Sequence, residues 1–189
     1  LGGGVPAVGR TFPFRPVRSR MEFTTAQGDI AAQSADALAN AAGTSLRMGS
    51  GVAGALRRGA NGPINEAAVS KGPVDLGAVA VTDAYDLDAE YVIHAAAMPH
   101  YGEGRATAES IRDATRNALE RADDLGCDSL VVPVLGTGAA GFDFETGARL
   151  VCEEVRAYAP TTLTDVRVIA YSESEYRTLE AVADRIRSS

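Results

Sequence analysis

Two hexapeptides carry backbone suited to holding an anion: Gly49-Ser50-Gly51-Val52-Ala53-Gly54 and Gly136-Thr137-Gly138-Ala139-Ala140-Gly141. Both fit G-x-G-x-x-G, and each is expected to lead into a helix. Glycine admits positive φ and lets a ligand approach the peptide amides. Amides at a helix N-terminus favour negative charge. One such hexapeptide is weak evidence in a chain of 20 glycines, where it can simply be a tight turn. Two of them suggest a diphosphate held from both sides. Neither is followed by the GK[ST] of a P-loop, and the only lysine, Lys71, lies elsewhere. A phosphate bound here must therefore be held mainly by backbone amides. A nicotinamide-binding Rossmann domain fits poorly, because its glycine motif directly follows the first strand and an acid stands about 20 residues on. Glu66 and Asp75 do not meet that register.

The elements that must position these loops read as alternating strands and helices. Strands are expected at Glu22–Thr25, Ala35–Asn40, Ala78–Thr82, Tyr91–Ala96, Ser129–Leu135 and Val166–Ala170. The segment Leu130 to Leu135 is apolar on both faces, as in a buried central strand, with Pro133 near its end. Ile111, Ala114, Ala118, Leu119, Ala122 and Leu125 form one stripe of a helix over about 106–125, closed by Gly126. Further helices are expected after Asp143, after the cap-like Ser172-Glu173-Ser174-Glu175, and near 52–58 and 64–71. Strands alternating with helices give a three-layer α/β domain.

Composition narrows the function. The chain has 189 residues, one domain by length, and 46% hydrophobic residues, a globular value. No apolar run approaches a membrane span. Cys127 and Cys152 make no disulfide framework, and with His94 and His100 they show no zinc spacing, so no metal and no cofactor are expected. A reduced, cytoplasmic setting is the default. Residues 1–20 are rich in Gly, Pro and Arg and read as an extension outside the fold, or as a basic interaction arm. They hold four arginines and no acid, so the rest of the chain is more acidic than the overall charge of −7. An acidic body disfavours nucleic acid as a partner.

Four segments together resemble the macrodomain family, which binds ADP-ribose. They are Gly28-Asp29-Ile30; Asp36 to Ala42 continuing through the first glycine loop; Tyr91-Val92-Ile93-His94-Ala95; and Pro133 through Phe142. The resemblance covers nearly all of 21–187 and implies a mixed sheet of six strands between helices, an α/β/α fold with its cleft at the strand ends. It makes 21–189 a single macrodomain. It implies ADP-ribose, free or as the terminal mono-ADP-ribose of a modified protein, as the ligand and partner. Asp29 would accept from the adenine amino group, with the Ile30 amide beside it; a turn cap is the other reading of Asp29. Tyr171 would pack on the adenine face, or is a half-buried aromatic at a strand end. Gly51, Val52 and Ala53 match the first diphosphate loop, and Gly136, Thr137, Gly138, Ala139 and Ala140 the second. Asn40 matches a loop asparagine near the distal ribose, the weak catalytic candidate, or braces the loop. His94 reads as a satisfied core histidine.

Three departures cluster at the distal ribose. Gly43 stands where many members have a second asparagine, Ala53 where a hydrolase branch has an aspartate, and Ala140 where an aromatic is common; Phe142 is a partial substitute. These losses leave adenine and diphosphate recognition and remove groups that would orient a water. The enzyme alternative is an ADP-ribosyl hydrolase, an O-acetyl-ADP-ribose deacetylase or an ADP-ribose 1″-phosphate phosphatase, with the substrate's own phosphate assisting.

Overall fold

The structure is a computed structural model that describes residues 21–100, 102–138 and 140–189. The expectations for residues 1–20 and for Ala139 lie outside these residues. Strands β1 (Glu22–Gln27), β2 (Ala37–Gly43), β3 (Val79–Asp83), β4 (Tyr91–Met98), β5 (Ser129–Pro133) and β6 (Asp165–Ala170) form one sheet in the order β1-β6-β5-β2-β4-β3. Every pairing is parallel except that of the edge strand β3 with β4. The sheet is therefore mixed and six-stranded. Helices α1 (Gly51–Ala60), α2 (Ile64–Val69), α3 (Ala108–Asp124), α4 (Phe144–Ala157) and α5 (Glu173–Arg187) cover it.

Alternation along each strand divides the helices between the two faces. Ala37, Ala39, Ile93, Ala95, Leu130, Val132, Val166 and Val168 share a core with the apolar stripes of α3, α4 and α5. The intervening Leu38, Val92, Val131 and Ile169 pack with Leu56 of α1 and Ile64 of α2 on the opposite face. A sheet apolar on both faces needs a helical layer on each, which fixes the three-layer architecture.

Some boundaries move for physical reasons. β2 continues past Asn40 to Gly43 because β4 stays beside it, with Asn40 opposite His94 and Gly43 opposite Met98. β5 stops at Pro133, which has no N–H to give to the ladder. The first glycine hexapeptide is only half a loop: α1 begins at Gly51, so Val52, Ala53 and Gly54 are its first turn.

One buried carboxylate fixes the approach to β6. Asp123, in the last turn of α3, accepts from the backbone N–H groups of Thr161, Thr162 and Leu163 at 2.8–2.9 Å and from the Tyr158 hydroxyl at 2.7 Å. Burial alone pushes its carboxyl up, but the Leu163 and Thr161 amides, the Tyr158 hydroxyl and the Thr162 amide outweigh that and hold it at about 2.

Candidate functional site

The five parallel strands end on the same side of the sheet, where an open α/β sheet offers its crevice. A cleft of about 430 Å³ runs across these ends, within the size range of small-molecule sites. Strand order acts as a ruler along it. Gly28, Asp29 and Ile30 follow β1; Tyr171 follows β6, with Glu175 from the first turn of α5. Val134, Gly136, Thr137 and Gly138 follow β5, and Ala41, Ala42 and Met98 come from the ends of β2 and β4. From β1 to β4 is four strand spacings, roughly 19 Å. Ser50, Gly51, Val52, Ala55 and Arg58 form the wall contributed by α1.

The two glycine segments stand in the middle of this path and are built differently. Ser50 occupies the N-cap of α1 but makes no side-chain hydrogen bond to the helix. The first turn of α1 therefore keeps its N–H groups uncapped by a side chain. Gly51 has φ +62°, and a Cβ built there meets nothing within 4 Å. The second segment closes on itself, the Gly141 N–H donating to the Gly138 carbonyl and the Phe142 N–H to the Gly136 carbonyl. Gly136 has φ +79°, and a Cβ on it would come within 2.8 Å of the Ala106 Cβ, so only glycine fits. The helix after it, α4, is capped by Asp143, whose carboxylate accepts from the Thr146 N–H at 2.9 Å. Its N-terminal dipole already faces a carboxylate.

Among the sequence-derived residues, Asp29, Ile30, Gly51, Val52, Gly136, Thr137, Gly138, Ala140 and Tyr171 line the cleft. Asp29 is both a cap and a lining residue. Its Oδ1 accepts from the Ala31 N–H at 2.8 Å, and Oδ2 has no partner among the described residues. Tyr171 is 77% exposed, its ring open at the β6 end.

Three of the expected residues stand apart from the cleft lining. Asn40 is not in a loop and does not line the cleft; it is fully buried in β2, and its Nδ2 lies 3.0 Å from Nδ1 of His94. Its Oδ1 has no hydrogen-bond partner among the described residues. His94 places Nε2 2.9 Å from the Thr82 hydroxyl on β3, and burial pushes the ring down to about 4, so it is neutral at pH 7. With Asn40 donating to Nδ1, the Nε2–H donates to Thr82, and the three residues form a polar bridge across β2, β4 and β3. Ala53 is the second departure: it is buried in the α1 face of the core, because it falls in a helical turn and points inward. Phe142 is the third. Both Phe142 and Phe144 pack against the opposite core, but of the two only Phe144, at the start of α4, lines the cleft.

Arg58, Glu175 and Phe144 were missed. Arg58 was legible once α1 was extended to Gly51, since positions 51, 55 and 58 share one helical face. Glu175 was legible from the cap at Ser172, which accepts from the Glu175 N–H at 3.2 Å and so seats this residue beside Tyr171. No sequence signal distinguished Phe144 from Phe142.

Next to the β2 and β4 end of the cleft, the space beside Gly43 is already occupied. A Cβ built on Gly43 would lie 3.0 Å from the Pro99 carbonyl oxygen and 3.6 Å from the His100 Cα. Backbone following β4 thus occupies the space a side chain at 43 would need. His100 is tied to this corner by Nδ1 at 2.8 Å from the Ser45 hydroxyl. The described groups from β2 and β4 that line the cleft here, Ala41, Ala42 and Met98, are apolar in their side chains. Among the described residues no cluster of three or more His, Cys, Asp or Glu is arranged to hold a metal ion, and no helix is long and apolar enough to cross a membrane.

Known proteins align with this geometry. The model of the Macro domain family matches residues 39–151. An uncharacterised protein of Mycobacterium tuberculosis is 37% identical over 163 residues, which cover 86% of this chain and 45% of that protein. The chain thus spans less than half the length of its mycobacterial relatives. A macro domain-containing protein of Streptomyces coelicolor is 34% identical over 171 residues, covering 87% of this chain and 98% of that protein. Among solved structures, a mutant Oceanobacillus iheyensis macrodomain with ADPR superposes with a TM-score of 0.78 at 22% identity, over 93% of this chain and 98% of that one. A Trypanosoma brucei macrodomain in complex with ADP-ribose gives 0.74 at 26% identity, over 85% and 68% of the respective chains. By its sequence match, and by a fold that superposes on solved macrodomains, the chain belongs to the macrodomain family.

Proposed function

We propose that the cleft binds ADP-ribose, free or as the terminal unit on a modified protein, and that the protein acts as a reader of that group. The observation that carries this reading is the order of chemistry along the strand ends: a carboxylate and an exposed aromatic at β1 and β6, then two glycine segments with approachable amides. Asp29 Oδ2 accepts from the amino group of adenine, a donor that guanine lacks at that position. The Tyr171 ring packs on the base. The diphosphate lies between the N-terminus of α1 and the loop after β5, with partial positive charge on both sides. The distal ribose then falls at β2 and β4. The ADP-ribose named with the structural relatives supports the same ligand.

Efficient turnover is no part of this proposal. Hydrolysis at C1″ needs a base and a held water near the distal ribose. Among the described residues, the carboxylates that line the cleft, Asp29 and Glu175, stand at the β1 and β6 end, and the side chains that β2 and β4 offer at the other end are apolar. Asn40, the one catalytic candidate from the sequence, is committed to His94.

Titration calorimetry with ADP-ribose, with AMP and NAD as comparators, tests the binding. Incubation of the same protein with an ADP-ribosylated substrate protein tests the chemistry. Binding of ADP-ribose without release of the modification is the expected result. Release at a useful rate would replace the reader with a hydrolase, and folded protein that ignores ADP-ribose would overturn the assignment of the cleft.

A further inference from the structure

The sequence suggested that a phosphate in this cleft is held mainly by backbone amides; the structure adds a cation. Arg58 is the only basic side chain among the described residues that line the cleft, whose other charged members are Asp29 and Glu175. It lies two turns into α1, on the face that carries Gly51 and Ala55. Side chains on a helix lean toward its N-terminus and over the residue four before. Here that residue is Gly54, and a Cβ built on it would sit 3.3 Å from the Arg58 Nη1 and 3.0 Å from the Gly49 carbonyl oxygen. The missing side chain at 54 is what lets the guanidinium fold back toward the Gly49–Gly51 segment. Arg58 takes part in no hydrogen bond or ion pair with the described residues, whereas its neighbour Arg57 is bound to the Met48 carbonyl at 3.2 Å. Arg58 is therefore a positive charge aimed along the cleft wall and not neutralised by the described residues around it.

We propose that Arg58 is the charge-reading residue of this cleft, pairing with the diphosphate of the ligand from the α1 side while the amides of Gly51 and Val52 take its other oxygens. The inference rests on the ADP-ribose reading and deepens it. It makes the site select diphosphate-bearing nucleosides over uncharged ones by a side chain as well as by backbone. A guanidinium donates two parallel hydrogen bonds to phosphate oxygens, an arrangement that one ammonium reproduces only in part.

The test compares wild type, Arg58→Met and Arg58→Lys by calorimetry against ADP-ribose and adenosine at two salt concentrations. Arg58 is exposed, so both variants are expected to fold, and circular dichroism checks this. The Met variant should bind ADP-ribose about 10-fold more weakly or worse, consistent with the loss of a charged hydrogen bond. Its adenosine affinity should stay within about 2-fold of wild type, and its ADP-ribose affinity should fall less steeply with salt. The Lys variant should recover part of the loss and the salt dependence. Unchanged ADP-ribose affinity in Arg58→Met, or equal losses for ADP-ribose and adenosine, would overturn the role of Arg58 while leaving the cleft assignment intact. Wild type that binds no ADP-ribose at all would instead remove the reading on which the proposal stands.

Discussion

The two glycine hexapeptides are nearly the same string, yet the fold uses them in opposite ways. In the first, the chain turns into α1 after two residues, and the helix N-terminus is left without a side-chain cap. In the second, the segment bonds to itself, Gly141 to Gly138 and Phe142 to Gly136, and α4 begins only after Asp143 has capped it. The first segment offers a helix dipole and open amides; the second offers loop amides backed by α3 through the tight fit of Gly136 on Ala106 and Ile111. A G-x-G-x-x-G string thus specifies room for a ligand, and its flanking cap decides whether a helix dipole comes with it.

The largest effect should come from charge placed at the open helix end. Gly51→Glu puts a carboxylate where the diphosphate is proposed to lie, and ADP-ribose affinity should fall by at least about 100-fold, since repulsion replaces attraction at the same amides. Gly138→Glu, in the loop without a dipole, should cost about 10-fold. Calorimetry on both variants decides the matter, because equal losses would mean that the α1 dipole adds nothing. Gly136→Ala breaks the comparison from the stability side. Its Cβ meets Ala106 at 2.8 Å and Ile111 at 2.9 Å in a positive-φ position, so urea unfolding should show a loss of about 2–4 kcal/mol. Gly51→Ala meets no neighbour and should lose only about 1 kcal/mol, the cost of its φ.

The difference between the loops also explains what was legible in the sequence. The three layers and nearly every element followed from periodicity, and the mixed sheet from the family motifs, because a sheet buried on both faces writes its alternation into Leu38, Val92, Val131 and their neighbours. The caps at Asp143 and Ser172 were legible for the same local reason. Asn40 was not. Nothing within the run Ala39-Asn40-Ala41 says that β4 stays paired beyond it, and only that pairing, with His94 in register, turns a loop amide into a buried bridge. Gly43 shows the same limit. Its missing side chain reads as a loss, but the Pro99 carbonyl 3.0 Å from its Cβ position, 56 residues on, shows that the space is filled. Restoring an asparagine there would therefore displace the turn after β4, and no gain of hydrolysis is expected from that change alone. Contacts distant in sequence set these roles, and motif spacing does not carry them.

A finer test uses the caps themselves. The carboxyl of Asp143 is held below the usual carboxylate range by the N–H and hydroxyl of Thr146. A depressed carboxylate stabilises the folded state above its unfolded value, near ~3.9, and that contribution is lost as pH falls through the lower folded value. Asp143→Ala should accordingly lower Tm by a few degrees at pH 7, and the gap to wild type should close as the pH drops below about 4. Asp143→Asn should keep most of the cap and lose its pH dependence.

The smallest expected effect is the most discriminating. Ser50 holds the equivalent position before α1, and serine is a good cap, so the sequence alone assigns it the same structural value as Asp143. Its hydroxyl makes no bond to the helix, however, and Ser50→Ala should leave Tm unchanged at either pH. A loss matching that of Asp143→Ala would mean that the Ser50 hydroxyl already occupies the α1 amides in solution. A ligand would then have to displace it, and the first glycine segment would lose its advantage over the second. An unchanged Tm leaves those amides to water in the free protein, where a diphosphate can replace the water without first breaking a bond within the fold.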